Sequence, residues 1–108
     1  MLTRYYRVHP KDDDPERLLD PDEQTSEPWG ESHSQREGVS VFPDEVALYR
    51  YMVRRNAELE GSVLVELEGT PSDDKDFDAD EGALLVHPTR IVDVRPLDYD
   101  RVRALSAT

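Results

Sequence analysis

Hydrophobic and polar positions alternate with a period of two along several short stretches of this chain and with a helical period along one long one. From Leu2 to His9 the alternation places Leu2, Tyr6 and Val8 on one face with Arg4, and Thr3, Tyr5, Arg7 and His9 on the other. The pattern predicts a strand with one apolar face. Gly38 to Phe42 reads as a second, shorter strand, and Ser62 to Glu68 as a third with Val63, Val65 and Leu67 together. Ala83 to His87 and Thr89 to Arg95 are β-branched runs split by Pro88, which makes them one bent strand or two.

Pro43-Asp44-Glu45 carries the chemistry of a helix start, since proline suits the first turn and the acids face the positive end of the helix dipole. The stripe Val46, Tyr49, Met52, Val53 and Leu59, flanked by Leu48, predicts a helix over Asp44 to Glu60 that packs on the sheet, with Gly61 as its stop. Asp98 is placed to cap a last helix in which Tyr99, Val102 and Leu105 share a face. The predicted core draws on Tyr6, Val8, Val41, Val46, Tyr49, Met52, Val53, Val63, Val65, Leu67, Leu84, Val86, Val92 and Val94.

These elements define an α+β fold: a small, mostly antiparallel sheet of four to five strands packed on one main helix. The length of 108 residues fits a single domain, 1–108. Between the first two strands, residues 11–37 hold many acids, Pro15, Pro21 and Pro28, and few large apolar side chains beyond Leu18, Leu19 and Trp29. This predicts a long polar loop, with Leu18 and Leu19 pinning a short helical turn begun by Pro15-Glu16.

Composition narrows the function classes. Asp and Glu total 25 against 13 Lys and Arg, for a formal charge of -12, and only Lys11 and Lys75 among the bases are lysines. Such a field repels phosphate backbones and anionic lipid, so direct nucleic-acid or membrane binding is not expected, whereas a basic protein partner is compatible. The same acidity also suits adaptation to a saline interior, as in halophiles. The absence of cysteine removes disulfides and thiolate chemistry. No apolar leader core follows Met1, which points to a soluble, cytoplasmic protein.

Candidate chemistry centres on the acidic run Asp73 to Glu81. Asp76, Asp78 and Asp80 at every second position resemble the first half of an EF-hand calcium loop, and they are the candidate metal ligands. The register departs from that loop: counted from Asp76, Gly82 falls seventh where glycine is needed sixth, and His87 occupies the twelfth place of the bidentate glutamate. Solvation of an exposed loop accounts for the same carboxylates. His9, His33 and His87 come from separate segments without metal-site spacing, and Glu31-Ser32-His33-Ser34 is too local for a serine-histidine pair to aim at itself. Glu66 and Glu68 point the same way on their strand, as paired acid-base carboxylates would and as any solvent-facing alternation does.

Arg7 and His9 on the first strand, Ser40 on the strand before the main helix, and Glu81 at the edge of the following strand occur in an order that resembles the ADP-ribosyltransferase-type NAD-binding fold. The likeness spans about half of the chain. It implies that Arg7 positions the dinucleotide and that Glu81 works on the ribose, with Arg7, His9, Ser40 and Glu81 lining one cleft. The sequence departs from that pattern, because Glu81-Gly82 brings no second acid and Ser40 lacks a Ser-Thr-Ser context. A cross-strand pairing of Arg7 with Glu66 or Glu68 is the structural alternative.

Phosphate loops and nucleophile elbows are missing from the sequence. The first functional expectation is therefore a non-catalytic binding or regulatory module. A nucleotide-handling enzyme and a calcium-dependent module follow it, and no cofactor is assigned.

Overall fold

The computed structural model describes residues 3–20, 22, 24–26, 36–57, 59–76 and 79–106. Strand β1 (Arg4–Pro10) leads through a 3-10 turn at Pro15–Leu19 to the two-residue strands β2 (Thr25–Ser26) and β3 (Arg36–Glu37). There follow β4 (Val39–Val41), helix α1 (Glu45–Arg54), β5 (Ser62–Pro71), β6 (Leu84–Pro96) and helix α2 (Tyr99–Ser106). The fold is α+β, with one antiparallel four-stranded sheet in the order β1-β5-β6-β4 and β2 paired with β3 beside it.

The sheet curls until its two ends meet. Tyr6 of β1 and Phe42, just beyond β4, exchange backbone hydrogen bonds of 2.8 Å in both directions. The curvature has a local cause in β6. Register slips between Glu66 and Leu67 and between Glu68 and Gly69 leave Val92 and Thr89 as extra residues on β6, two bulges that bend and twist it. Pro88 is tolerated within this single strand because it sits beside the Thr89 bulge. Opposite it stands Gly69, where a Cβ would lie only 2.7 Å from the carbonyl oxygen of His87.

Two apolar clusters result. One gathers Tyr5, Val39, Val41, Val65, Leu67 and Val86 from all four strands, with Leu18 of the 3-10 turn against them. The other lies between the sheet and the helices, around Phe42, Leu48, Tyr49, Leu64 and Leu97, with Tyr6, Val8, Val102 and Leu105 packed on it. Both faces of β1 are thus covered, which corrects the expectation of a polar face carrying Tyr5, Arg7 and His9. Burial along β6 also departs from simple alternation. Leu85 and Val86 are both buried, while the predicted core residues Leu84 and Val94 are 42% and 43% exposed.

Helix α1 starts as its sequence predicts, with the Asp44 carboxylate accepting from the Val46 N–H at 2.9 Å. It ends well before Gly61. Asn56 adopts a left-handed conformation (φ 50°), its N–H bonds the Val53 carbonyl at 3.1 Å, and the Ala57 N–H bonds that of Met52 at 3.0 Å. This double bond pattern is a Schellman stop with asparagine in the place glycine usually takes. Helix α2 is capped by Asp98, whose Oδ1 accepts from the Arg101 N–H at 3.1 Å, as the sequence suggests.

Segment 11–37 is not one long loop. Its 3-10 turn is capped by Asp14 and inserts Leu18 into the first cluster. Gln24, only 4% exposed, donates to the carbonyls of Leu18 (2.8 Å) and Pro88 (3.2 Å), and its Oε1 lies 3.0 Å from Nδ1 of His87. One buried amide therefore ties this segment to β6. Trp29 and His33 lie outside the described residues.

Candidate binding site

Strand alternation carries Arg7 and His9 to the same side of β1 as Tyr5. Neither Glu66 nor Glu68 is their partner. Glu66 accepts from Arg4 (2.5 Å) and Arg95 (3.0 Å), and Glu68 from Arg90 (2.5 Å), so the two carboxylates are held by separate arginines. Burial pushes the Glu66 carboxyl up, but those two hydrogen bonds outweigh it and hold it below the ordinary glutamate range. Arg7 instead reaches the next strand end, where its Nη1 donates to the Ser40 carbonyl at 2.9 Å. The Ser40 hydroxyl in turn donates to Oδ2 of Asp76 at 2.6 Å. Ser40 thus links the part-buried Arg7 to a carboxylate that is itself only 7% exposed.

Burial lowers the Arg7 pKa, with Asp13 and Asp76 pulling it back, and an arginine in this position stays cationic. Its Nε is enclosed and has no hydrogen-bond partner among the described residues. His9 is 4% exposed, and burial, reinforced by the Arg7 charge, holds its pKa below the ordinary imidazole value. Asp13 opposes that shift only in part. Its Oδ2 lies 2.9 Å from His9 Nε2, off the line of a well-formed hydrogen bond, and its other oxygen accepts from Arg17. The net shift favours the neutral imidazole.

The described residues of the acidic run, 73–76 and 79–81, form an anchored strap. Ser72 donates through its hydroxyl to the Glu37 carbonyl and Asp74 accepts from the Glu37 N–H, both at 2.7 Å. Asp76 is held by Ser40, and a 3-10 turn at Ala79–Glu81 returns the chain to β6. Glu81 closes the strap against the end of α1, with Oε2 2.7 Å from Arg55 and Oε1 3.5 Å from Arg54. Several of the carboxylates expected to serve solvation therefore hold structure. Each partner is distant in sequence, which hides it from a local reading.

Between this strap, Tyr5 and the start of β6 lies a pocket of about 420 Å³, open to the surface. Its walls are chiefly apolar, from Pro71, Ala83, Leu84, Leu85 and Val86, with the carboxylates of Asp74 and Asp76 and the lysine Lys75 on the strap side. Leu84, exposed although large and apolar, stands in this wall.

Of the four residues read as catalytic candidates, Arg7 and Ser40 are in direct contact and His9 sits two residues along the same strand face. Glu81 is engaged by Arg54 and Arg55 instead. Of the metal candidates, Asp76 is turned to Ser40, Asp80 is exposed on the 3-10 turn, and Asp78 lies outside the described residues. Among the described residues no three histidine, aspartate or glutamate side chains are grouped to hold a metal ion. No helix among them is long and apolar enough to cross a membrane. Sequence reasoning missed Tyr5, Leu85 and Gln24, the first two because the curled sheet is covered on both faces and buries positions that simple alternation turns outward. Comparison with protein-family models, characterised proteins and solved structures finds no match.

Proposed function

We propose that this protein is a non-catalytic binding module whose ligand seats in the pocket beneath the strap formed by residues 72–76 and 79–82. The observation that supports this reading is the pocket itself. Its volume falls in the range of small-ligand and side-chain sites, it is open at the surface, and its walls are apolar with few polar groups at one side. Of the polar side chains on its lining, the Ser72 hydroxyl donates to the Glu37 carbonyl at 2.7 Å, Asp74 accepts from the Glu37 N–H and Asp76 accepts from Ser40 at 2.6 Å, while the imidazole beside Arg7 on that strand face is buried with a lowered pKa. These groups support the walls, and among the described residues no activated nucleophile stands at the opening.

A nucleotide-handling site of ADP-ribosyltransferase type would need Glu81 free to work on a ribose, and its carboxylate is paired with two arginines at the end of α1. The binding reading therefore has the stronger support. It is tested by titrating the isotopically labelled protein with small apolar fragments and following backbone amide resonances. Saturable shifts at Ser72 and Leu84 to Val86 are expected; a fragment set that leaves these amides unmoved would count against the pocket as a site.

A further inference from the structure

Resting on that binding reading, we infer that the pocket's occupant is a basic polypeptide segment that inserts one large apolar side chain beneath the strap. The apolar part follows from the walls. Leu84 is 42% exposed and stands at the pocket beside Pro71 and Leu85, so an inserted side chain removes apolar surface from water on both partners. Tyr5 and Val86, buried members of the first apolar cluster, back the site with a packed floor.

Charge complementarity gives the sign of the partner. The chain carries a formal charge of -12, and the run from Asp73 to Glu81 sets Asp73, Asp74, Asp76, Asp78, Asp80 and Glu81 against the single base Lys75. Glu81 is neutralised by Arg54 and Arg55, and Asp76 is buried, but Asp73 and Asp80 are exposed on the strap. An anionic ligand would approach against this field, and a cationic one is drawn by it.

The size of the partner follows from where those charges stand. Asp73 and Asp80 are not among the residues that line the pocket, so a ligand confined to its volume cannot engage them. A polypeptide can seat one residue in the pocket and lay its flanking lysines or arginines along the strap. This is recognition by a single apolar anchor with a polar surround.

The test uses the full chain and a fluorescent peptide of about ten residues, rich in lysine and arginine with one central leucine. Its affinity is measured by anisotropy beside three controls: the same peptide with alanine for leucine, an acidic peptide keeping the leucine, and leucinamide. The basic leucine peptide should bind at least about tenfold tighter than each control, and should weaken between about 50 and 500 mM salt. The exposed double variant Asp73→Lys, Asp80→Lys should lose about tenfold in affinity for it. Equal binding by the acidic peptide would overturn the basic partner, equal binding by the alanine peptide would overturn the anchor, and equal binding by leucinamide would overturn the polypeptide. In each of those cases, apolar fragments that still shift the Leu84 to Val86 amides leave the pocket standing as a site. Fragments that shift nothing sink both readings together.

Discussion

The Ser40 hydroxyl and the Asp76 carboxylate, 36 residues apart in the chain, meet in a 2.6 Å hydrogen bond at the place where the acidic strap crosses β4. Asp76 is almost enclosed, and a carboxylate taken from water must be compensated by donors. Ser40→Ala removes this donor and leaves the acceptor buried, which should destabilise the fold by roughly 1–3 kcal/mol. Urea unfolding of the two proteins measures it. Ser40→Thr, which keeps the hydroxyl, should recover most of the loss.

His9 should make stability depend on pH just below neutrality. Its folded pKa is depressed, by burial first and by Arg7 second, so between the folded value and the unfolded value near 6.5 the unfolded chain binds the extra proton. Stability from this group is complete above that unfolded value and declines as pH falls below it, by at most about 1.4 kcal/mol per pH unit. The other charged groups beside the imidazole are Arg7 and Asp13, and Asp13 also engages Arg17. Urea midpoints measured from pH 7.5 downward should fall for the native chain and fall less steeply for His9→Gln. Parallel curves for the two proteins would remove His9 as the cause.

Gly69 should tolerate no side chain. A Cβ there would stand 2.7 Å from the His87 carbonyl oxygen and 3.1 Å from the Pro88 Cα, and both neighbours are backbone that cannot rotate away. Gly69→Ala is expected to cost roughly 1–3 kcal/mol through a forced separation of β5 and β6. Calorimetry should show a lowered melting temperature, and an unchanged one would mean that the strands part freely at this bend.

The end of α1 offers a test in both directions. Asn56 holds a left-handed conformation that asparagine tolerates through local hydrogen bonding of its short polar side chain and alanine does not, so Asn56→Ala should destabilise by about 1 kcal/mol, whereas Asn56→Gly, free of the Cβ, should be neutral or mildly stabilising. Thermal unfolding of the pair checks the order of the two variants, and alanine proving the more stable would contradict the cap.

Much of the architecture was legible in the chain. Asp44 before an apolar stripe marks the start of α1, Asp98 marks α2, and the alternation of Val63, Val65 and Leu67 marks β5, because each signal is local. What was hidden depends on distant partners or on departures from regular geometry. At the start of β6 Leu85 and Val86 are buried on opposite faces, while Leu84, on the face of Val86, stays exposed at the open pocket, and the bulges at Thr89 and Val92 break the alternation further along. Asn56 ends α1 because the chain turns left-handed there, ahead of the more obvious Gly61. For the candidate site, the resemblance placed Arg7, His9, Ser40 and Glu81 in one cleft, whereas in the fold Arg7 donates to the Ser40 carbonyl and Glu81 is turned to Arg54 and Arg55. The strap's closure on Glu37 and Ser40 needs the folded chain to be seen at all, since polar loop residues carry no mark of their remote partners.

The pocket under the strap is the central claim, and Leu84 gives the most direct access to it. Because this residue is 42% exposed, Leu84→Asp should leave the fold intact while placing a charge in the apolar wall. The decisive measurement is the dissociation constant of one apolar fragment for the native chain and for Leu84→Asp, read from amide shifts at Leu85 and Val86. A loss of about tenfold or more in the variant, with its circular dichroism unchanged, is the predicted result. Equal affinity for the two proteins would contradict the account.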